Sequence, residues 1–120
     1  MIRGVKFASI PVTDQDRAIA FYTEKLGFRL LTDQPFDGKQ RWVELGIAGG
    51  DTRIVLFRFD NGLQPGGQMN VTFWSDDVEA TARDLKSKGV EFVMEPQKAN
   101  WGTAAKFKDL DGNCFVLSSR

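Results

Sequence analysis

The 120-residue chain is predicted to be an α+β protein made of two βαβββ modules in one domain. A repeat and a regular succession of strands around each copy predict it. Residues 12–28, VTDQDRAIAFYTEKLGF, and residues 74–90, WSDDVEATARDLKSKGV, share a layout at an offset of 62. In each copy a strand ends, an aspartate (Asp14 or Asp76) opens a helix, and a glycine (Gly27 or Gly89) stops it. Few letters are shared, so the pattern carries the repeat.

The first strand is KFASIPV, residues 6–12. In the helix that follows, Ala18, Phe21, Tyr22 and Leu26 fall at i, i+3, i+4 and i+8, which is one apolar face. Three strands come next: FRLLTDQ, RWVELGIA and TRIVLFRF. The turn signals Asp37-Gly38 and Gly49-Gly50-Asp51 separate them. DNGLQPGG, Asp60 to Gly67, has three glycines and a proline and reads as a linker. The first module therefore covers about residues 4–60 and the second about 68–120. The second module repeats the order with MNVTFW, a helix, VEFVMEP, TAAKFKD and CFVLSS, and Asp111-Gly112-Asn113 turns the last hairpin. Its helix carries Val78, Ala82 and Leu85 on one face, and Asp76 with Glu79 fits a capping box.

Composition removes several functions. Sixteen basic side chains balance sixteen acidic ones, so no net field attracts nucleic acid or an anionic membrane. No apolar run reaches the length of a membrane span, and MIRGVKF lacks the apolar core of a signal peptide. The single cysteine, Cys114, suits a reducing compartment, so a cytoplasmic protein is expected. There is no histidine. That excludes Ser-His-Asp and Cys-His machinery and any imidazole-ligated metal.

Two motifs identify a family. The first runs from Val12 through Asp14, Arg17, Ala18, Phe21, Tyr22, Leu26 and Gly27 to Phe28. The second is Trp101-Gly102 followed by Phe107, Asp109, Asp111, Gly112 and Asn113, with Leu110 where proline is usual. Together with the repeat, they make the whole chain resemble the vicinal oxygen chelate superfamily of glyoxalases, bleomycin resistance proteins and extradiol dioxygenases. The resemblance implies a cupped mixed sheet with metal ligands on its concave face. It places one ligand five residues before the end of each module's first strand, at Phe7 and Met69; a register shifted by one gives Ala8 and Asn70. The others align to Val55 and Val116. These side chains offer no hard donor set, so neither a metal nor another cofactor is expected.

Alternation along the strands then names the rest of the concave face. Ser9 and Pro11 accompany Phe7, and Arg53, Phe57 and Phe59 accompany Val55. Val71 and Phe73 go with Met69, Cys114 and Ser118 with Val116, and the third strand adds Trp42 and Glu44. Ile10, Val12, Val43, Leu45, Ile47, Ile54, Leu56, Phe115 and Leu117 should face the helices, as should Trp74. Trp101 is positioned to stack on a planar ligand. Glu44 is the one weak catalytic candidate. Burial beside Trp42 would raise its pKa and Arg53 would lower it, and an ion-paired glutamate is the plainer reading. Cys114 reads as a small packing residue, and Asp109, Asp111 and Asn113 as a turn. The expected function is metal-free binding of a small apolar or aromatic, antibiotic-like molecule by a homodimer, the dimer being implied by the resemblance. A lyase, isomerase or dioxygenase of the same superfamily is the alternative, and a structural or interaction module a second one.

Overall fold

The computed structural model describes residues 1–38, 40–58 and 64–120. The chain divides into two compact units, Met1–Pro65 and Gly66–Arg120. The first contains β1 (Phe7–Pro11), α1 (Gln15–Ala20) running into a π-helical turn (Phe21–Lys25), β2 (Arg29–Pro35), β3 (Arg41–Gly46) and β4 (Arg53–Phe57). The second contains β5 (Gly67–Ser75), α2 (Val78–Ser87), β6 (Glu91–Ala99), β7 (Gly102–Lys108) and β8 (Asn113–Ser119). Each unit is thus βαβββ, and the strand orders correspond: β1-β4-β3-β2 and β5-β8-β7-β6. In both, the first strand lies parallel to the last and the other pairings are antiparallel. Phe59 and residues 60–63 of the expected linker lie outside the described residues. No helix among the described residues is long and apolar enough to cross a membrane.

In the first unit, one sheet face carries Ile10, Val43, Leu45, Ile54 and Leu56, all buried with Val12 and with Ala18, Phe21 and Tyr22 of the helix. Covering these side chains is the main force holding the unit together, at about 1.5–3 kcal/mol per large residue. Pro11 is tolerated because β1 is an edge strand. Gln15 completes the packing. Its Nε2 donates to the carbonyls of Arg41 (2.7 Å) and Leu56 (3.0 Å), and its Oε1 accepts from the Arg41 N–H (3.1 Å). The helix start is thereby tied to two strands.

In the second unit, α2 packs against the face bearing Phe73, Phe92, Phe107, Phe115 and Leu117. Phe107 lies within 6.2 Å of the Phe73, Phe92 and Phe115 ring centroids. The β7–β8 turn is closed by side chains. Asp109 Oδ1 accepts from the N–H groups of Asp111 and Asn113 (2.9 Å each), and Oδ2 accepts from Asn113 Nδ2 (2.8 Å). Asn113 Oδ1 accepts from the Gly66 N–H at 2.7 Å. These residues form a turn, in which Leu110 is exposed. Gly102 is required for two reasons: its φ is +147°, and a Cβ there would collide with Ser119 Oγ, which accepts from the Thr103 N–H.

The repeat needs one correction. Asp77, not Asp76, caps the second helix, its Oδ1 accepting from the Ala80 N–H at 2.9 Å. Asp14 does the same for Arg17. From cap to stop glycine the first helix spans fourteen residues (14 to 27) and the second thirteen (77 to 89). The π turn, in which the Leu26 N–H reaches back to the Phe21 carbonyl, absorbs the extra residue. The strands before the helices therefore align at an offset of 63, one more than the glycines do. Ser9 and Thr72 pair with the equivalent residues Val55 and Val116.

Candidate ligand-binding face

The first unit turns a second sheet face away from α1. Strand register puts Phe7, Ser9 and Pro11 of β1 beside Arg53, Val55 and Phe57 of β4. Glu44 of β3 is opposite Val55. The Trp42 ring meets Phe7 at 5.4 Å, Phe57 at 5.6 Å and Phe36 at 5.7 Å between centroids. Phe36 also meets Phe57 edge-on at 5.5 Å. Edge-to-face contacts of this kind contribute about 0.5–1.5 kcal/mol each. Phe36 nonetheless keeps 58% of its surface exposed, so the cluster presents a ring to solvent. The β2–β3 loop holds it there: the N–H groups of Phe36 and Asp37 donate to the Gln40 carbonyl, and Asp37 accepts from the Gln40 N–H.

One carboxylate orients the cluster. Glu44 Oε2 accepts from Trp42 Nε1 at 2.6 Å, and Oε1 accepts from Arg53 Nη1 at 2.9 Å. These two hydrogen bonds, Arg53 first, hold the Glu44 pKa below the ordinary carboxylate range, and they outweigh the effect of burial. Glu44 is therefore an ionised anchor that fixes the indole, a poor general base at neutral pH. The ion-paired reading of this residue is the one the geometry supports.

The corresponding face of the second unit has a different character. Gln68, Asn70, Thr72 and Trp74 alternate on the exposed side of β5, next to Cys114, Val116 and Ser118 of β8 and Lys106 of β7. Met69 is not among them. It is buried between exposed Gln68 and Asn70, in a stretch where the β5–β8 register shifts between Gln68 and Thr72. Trp74, expected beneath the helix, is instead 53% exposed, with the Arg120 guanidinium over its ring at 4.7 Å. Trp101 sits in the β6–β7 turn and is exposed.

The structure thus brings Phe7, Ser9, Trp42, Arg53, Val55 and Phe57 to one face, with Val55 fully buried beneath it. Val116 lies on the corresponding face of the second unit, and Met69 does not. The donor chemistry at the positions that the resemblance aligned with metal ligands does not fit a divalent ion. In the first unit it is a phenyl and an isopropyl group; in the second, a thioether, or an amide one residue on, and an isopropyl group. Among the described residues, no three His, Cys, Asp or Glu side chains gather to hold a metal. Sequence reasoning missed Phe36 and Gln15. The signal for Phe36 was an aromatic residue directly before an Asp-Gly turn that faces a tryptophan strand. For Gln15 it was a polar residue on the apolar stripe of α1, three before Ala18 and seven before Tyr22.

Residues 4–117 match the model of the Glyoxalase/Bleomycin resistance protein/Dioxygenase superfamily. The uncharacterized protein YetH of Bacillus subtilis is 35% identical, with 98% of each chain covered. A crystal structure of a member of the same superfamily from Sphaerobacter thermophilus superposes with a TM-score of 0.92 at 32% identity, covering 99% of this chain and 98% of that one. TnmS3, described as an antibiotic binding protein from Streptomyces sp. CB03234, gives a TM-score of 0.89 at 37% identity, covering 98% of this chain and 96% of that one.

Proposed function

This chain belongs to the Glyoxalase/Bleomycin resistance protein/Dioxygenase superfamily, and from that premise we propose that it is a metal-independent binding protein for a flat, mostly apolar small molecule. The observation that carries this reading is the Phe7–Phe36–Trp42–Phe57 cluster, a partly exposed aromatic surface whose central indole is locked by Glu44. Apolar walls with a few polar groups are what small-molecule sites are made of. The likeness to TnmS3 supports an antibiotic-like ligand. Glu44 is committed to Trp42 and Arg53, which favours binding over acid–base chemistry. The protein acts in the cytoplasm as a homodimer, for which sedimentation equilibrium at micromolar concentration should return about twice 13.5 kDa. Elemental analysis after dialysis should find no stoichiometric zinc, nickel or iron.

The direct test is tryptophan quenching by a library of flat polycyclic compounds. Trp74 and Trp101 are both exposed, so a Trp74→Phe/Trp101→Phe variant isolates the Trp42 signal. Saturable quenching retained in this variant, and weakened several-fold in affinity by Phe57→Ala, is the expected result. The absence of any saturable fluorescence or thermal-shift response across the library would sink the reading in favour of a structural module.

A further inference from the structure

The aromatic face has one polar group with capacity to spare. Arg53 spends Nη1 on Glu44, and its Nε and Nη2 have no partner among the described residues. Half of its side chain is exposed, and its backbone pairs with Phe7, which packs on Trp42. A guanidinium held by one edge beside a ring cluster, with the rest of its fork open, is built to donate to an acceptor lying in the plane of a stacked ligand. Its charge is already matched by the Glu44 carboxylate at 2.9 Å, which is itself only 12% exposed. Exposed Lys6 adds only a solvent-screened field. An incoming carboxylate would meet Glu44 as a like charge; a neutral carbonyl would not.

We propose, building on the binding reading above, that the ligand carries a neutral acceptor oxygen on its ring system, a ketone or amide carbonyl. Arg53 reads that oxygen. Glu44 is the positioning residue that aims Arg53 and disfavours anionic ligands.

Three probes of one shape test this by calorimetry in matched co-solvent: fluorene, 9-fluorenone and 9-fluorenone-4-carboxylate. The ketone should bind about tenfold tighter than the hydrocarbon, as one hydrogen bond to a charged donor implies, and about tenfold tighter than the carboxylate. Arg53→Met should bring the ketone-to-hydrocarbon ratio to about one, whatever it does to the affinity for fluorene itself. Glu44→Gln keeps an acceptor for the Trp42 N–H and frees Arg53, so it should raise carboxylate affinity about tenfold. A purely structural Glu44 would not produce that gain. Equal binding of fluorene and fluorenone, insensitive to Arg53→Met, overturns this inference and leaves the binding reading intact. Binding of none of the three probes overturns both.

Discussion

The two units share one backbone plan and differ in what they do with it. Strand order, parallel closure and helix-covered apolar face are the same in both. The opposite faces have diverged. In the first unit that face is a cluster of rings around a neutralised ion pair; in the second it is amide, hydroxyl and ammonium groups with an exposed Trp74. The hairpins that end the units differ too: Asp109 and Asn113 bind the β7–β8 turn, while exposed Asp51 makes no such network between β3 and β4. The lesson is that burial against the helix constrains one face of a sheet and leaves the other free to acquire a role.

The sharpest break in that comparison is at the turns. Asp109→Ala removes the acceptor for two backbone N–H groups and one side-chain amide in a buried setting, so urea unfolding should show a loss of about 3 kcal/mol or more. Asp51→Ala, in the corresponding loop of the first unit, should change stability by no more than about 0.5 kcal/mol. Equal effects would mean that the hydrogen-bonded turn is incidental.

A second contrast sets the two faces against each other. Phe57→Asp puts an unpaired charge against Trp42 and Phe36 and should weaken binding of any compound active in the quenching assay by at least about tenfold. Thr72→Asp, on the matching face of the second unit, is already at an exposed polar position and should alter affinity less than about twofold. The reverse order would move the ligand to the second unit. Gly102→Ala, by contrast, should cost stability and leave the affinity of the folded protein alone, because its collision is with the Ser119 side chain inside the second unit.

Most of this contrast was legible in the letters. Alternation, started from the positions the resemblance supplied, assigned Ile10, Val43, Leu45, Ile54 and Leu56 to the helix side and Phe7, Trp42 and Arg53 to the other, because in a strand every second residue must share a face. What misled the reading in the second unit was counting back from the glycine. Gly27 and Gly89 are 62 residues apart, but a π turn intervenes only in the first helix, so the caps and strands are 63 apart. One residue of slip exchanged Phe73 with Trp74 between faces. A π turn has no local composition that betrays it. The clue was the adjacent pair Asp76-Asp77, either of which satisfies a capping pattern. The Trp42–Glu44–Arg53 latch was only partly visible, since register shows that the three share a face but not that the carboxylate divides its oxygens between the other two.

That latch gives the smallest expected effect, and its sign can be worked out. Hydrogen bonds from Arg53 and Trp42 lower the Glu44 pKa in the folded state. The unfolded chain therefore takes up this proton first as pH falls, and the ionised form favours folding. The contribution is fully present above the ordinary glutamate range, declines as pH drops through it, and is gone below the lowered folded value. Arg53 is half exposed, so the whole effect is held to about 1 kcal/mol or less. Urea midpoints of wild type and Glu44→Gln should thus differ by a constant amount near neutrality and converge on acidification, with wild type falling more steeply. High salt should narrow the gap at neutral pH by screening the Arg53 pair. Glu91→Gln serves as the control in the second unit, because it removes only an exposed Lys108 pair at 3.9 Å and should change stability by no more than about 0.5 kcal/mol at neutral pH. Parallel curves for wild type and Glu44→Gln would show that the carboxylate contributes nothing through its charge, and that Trp42 is held by ring packing alone.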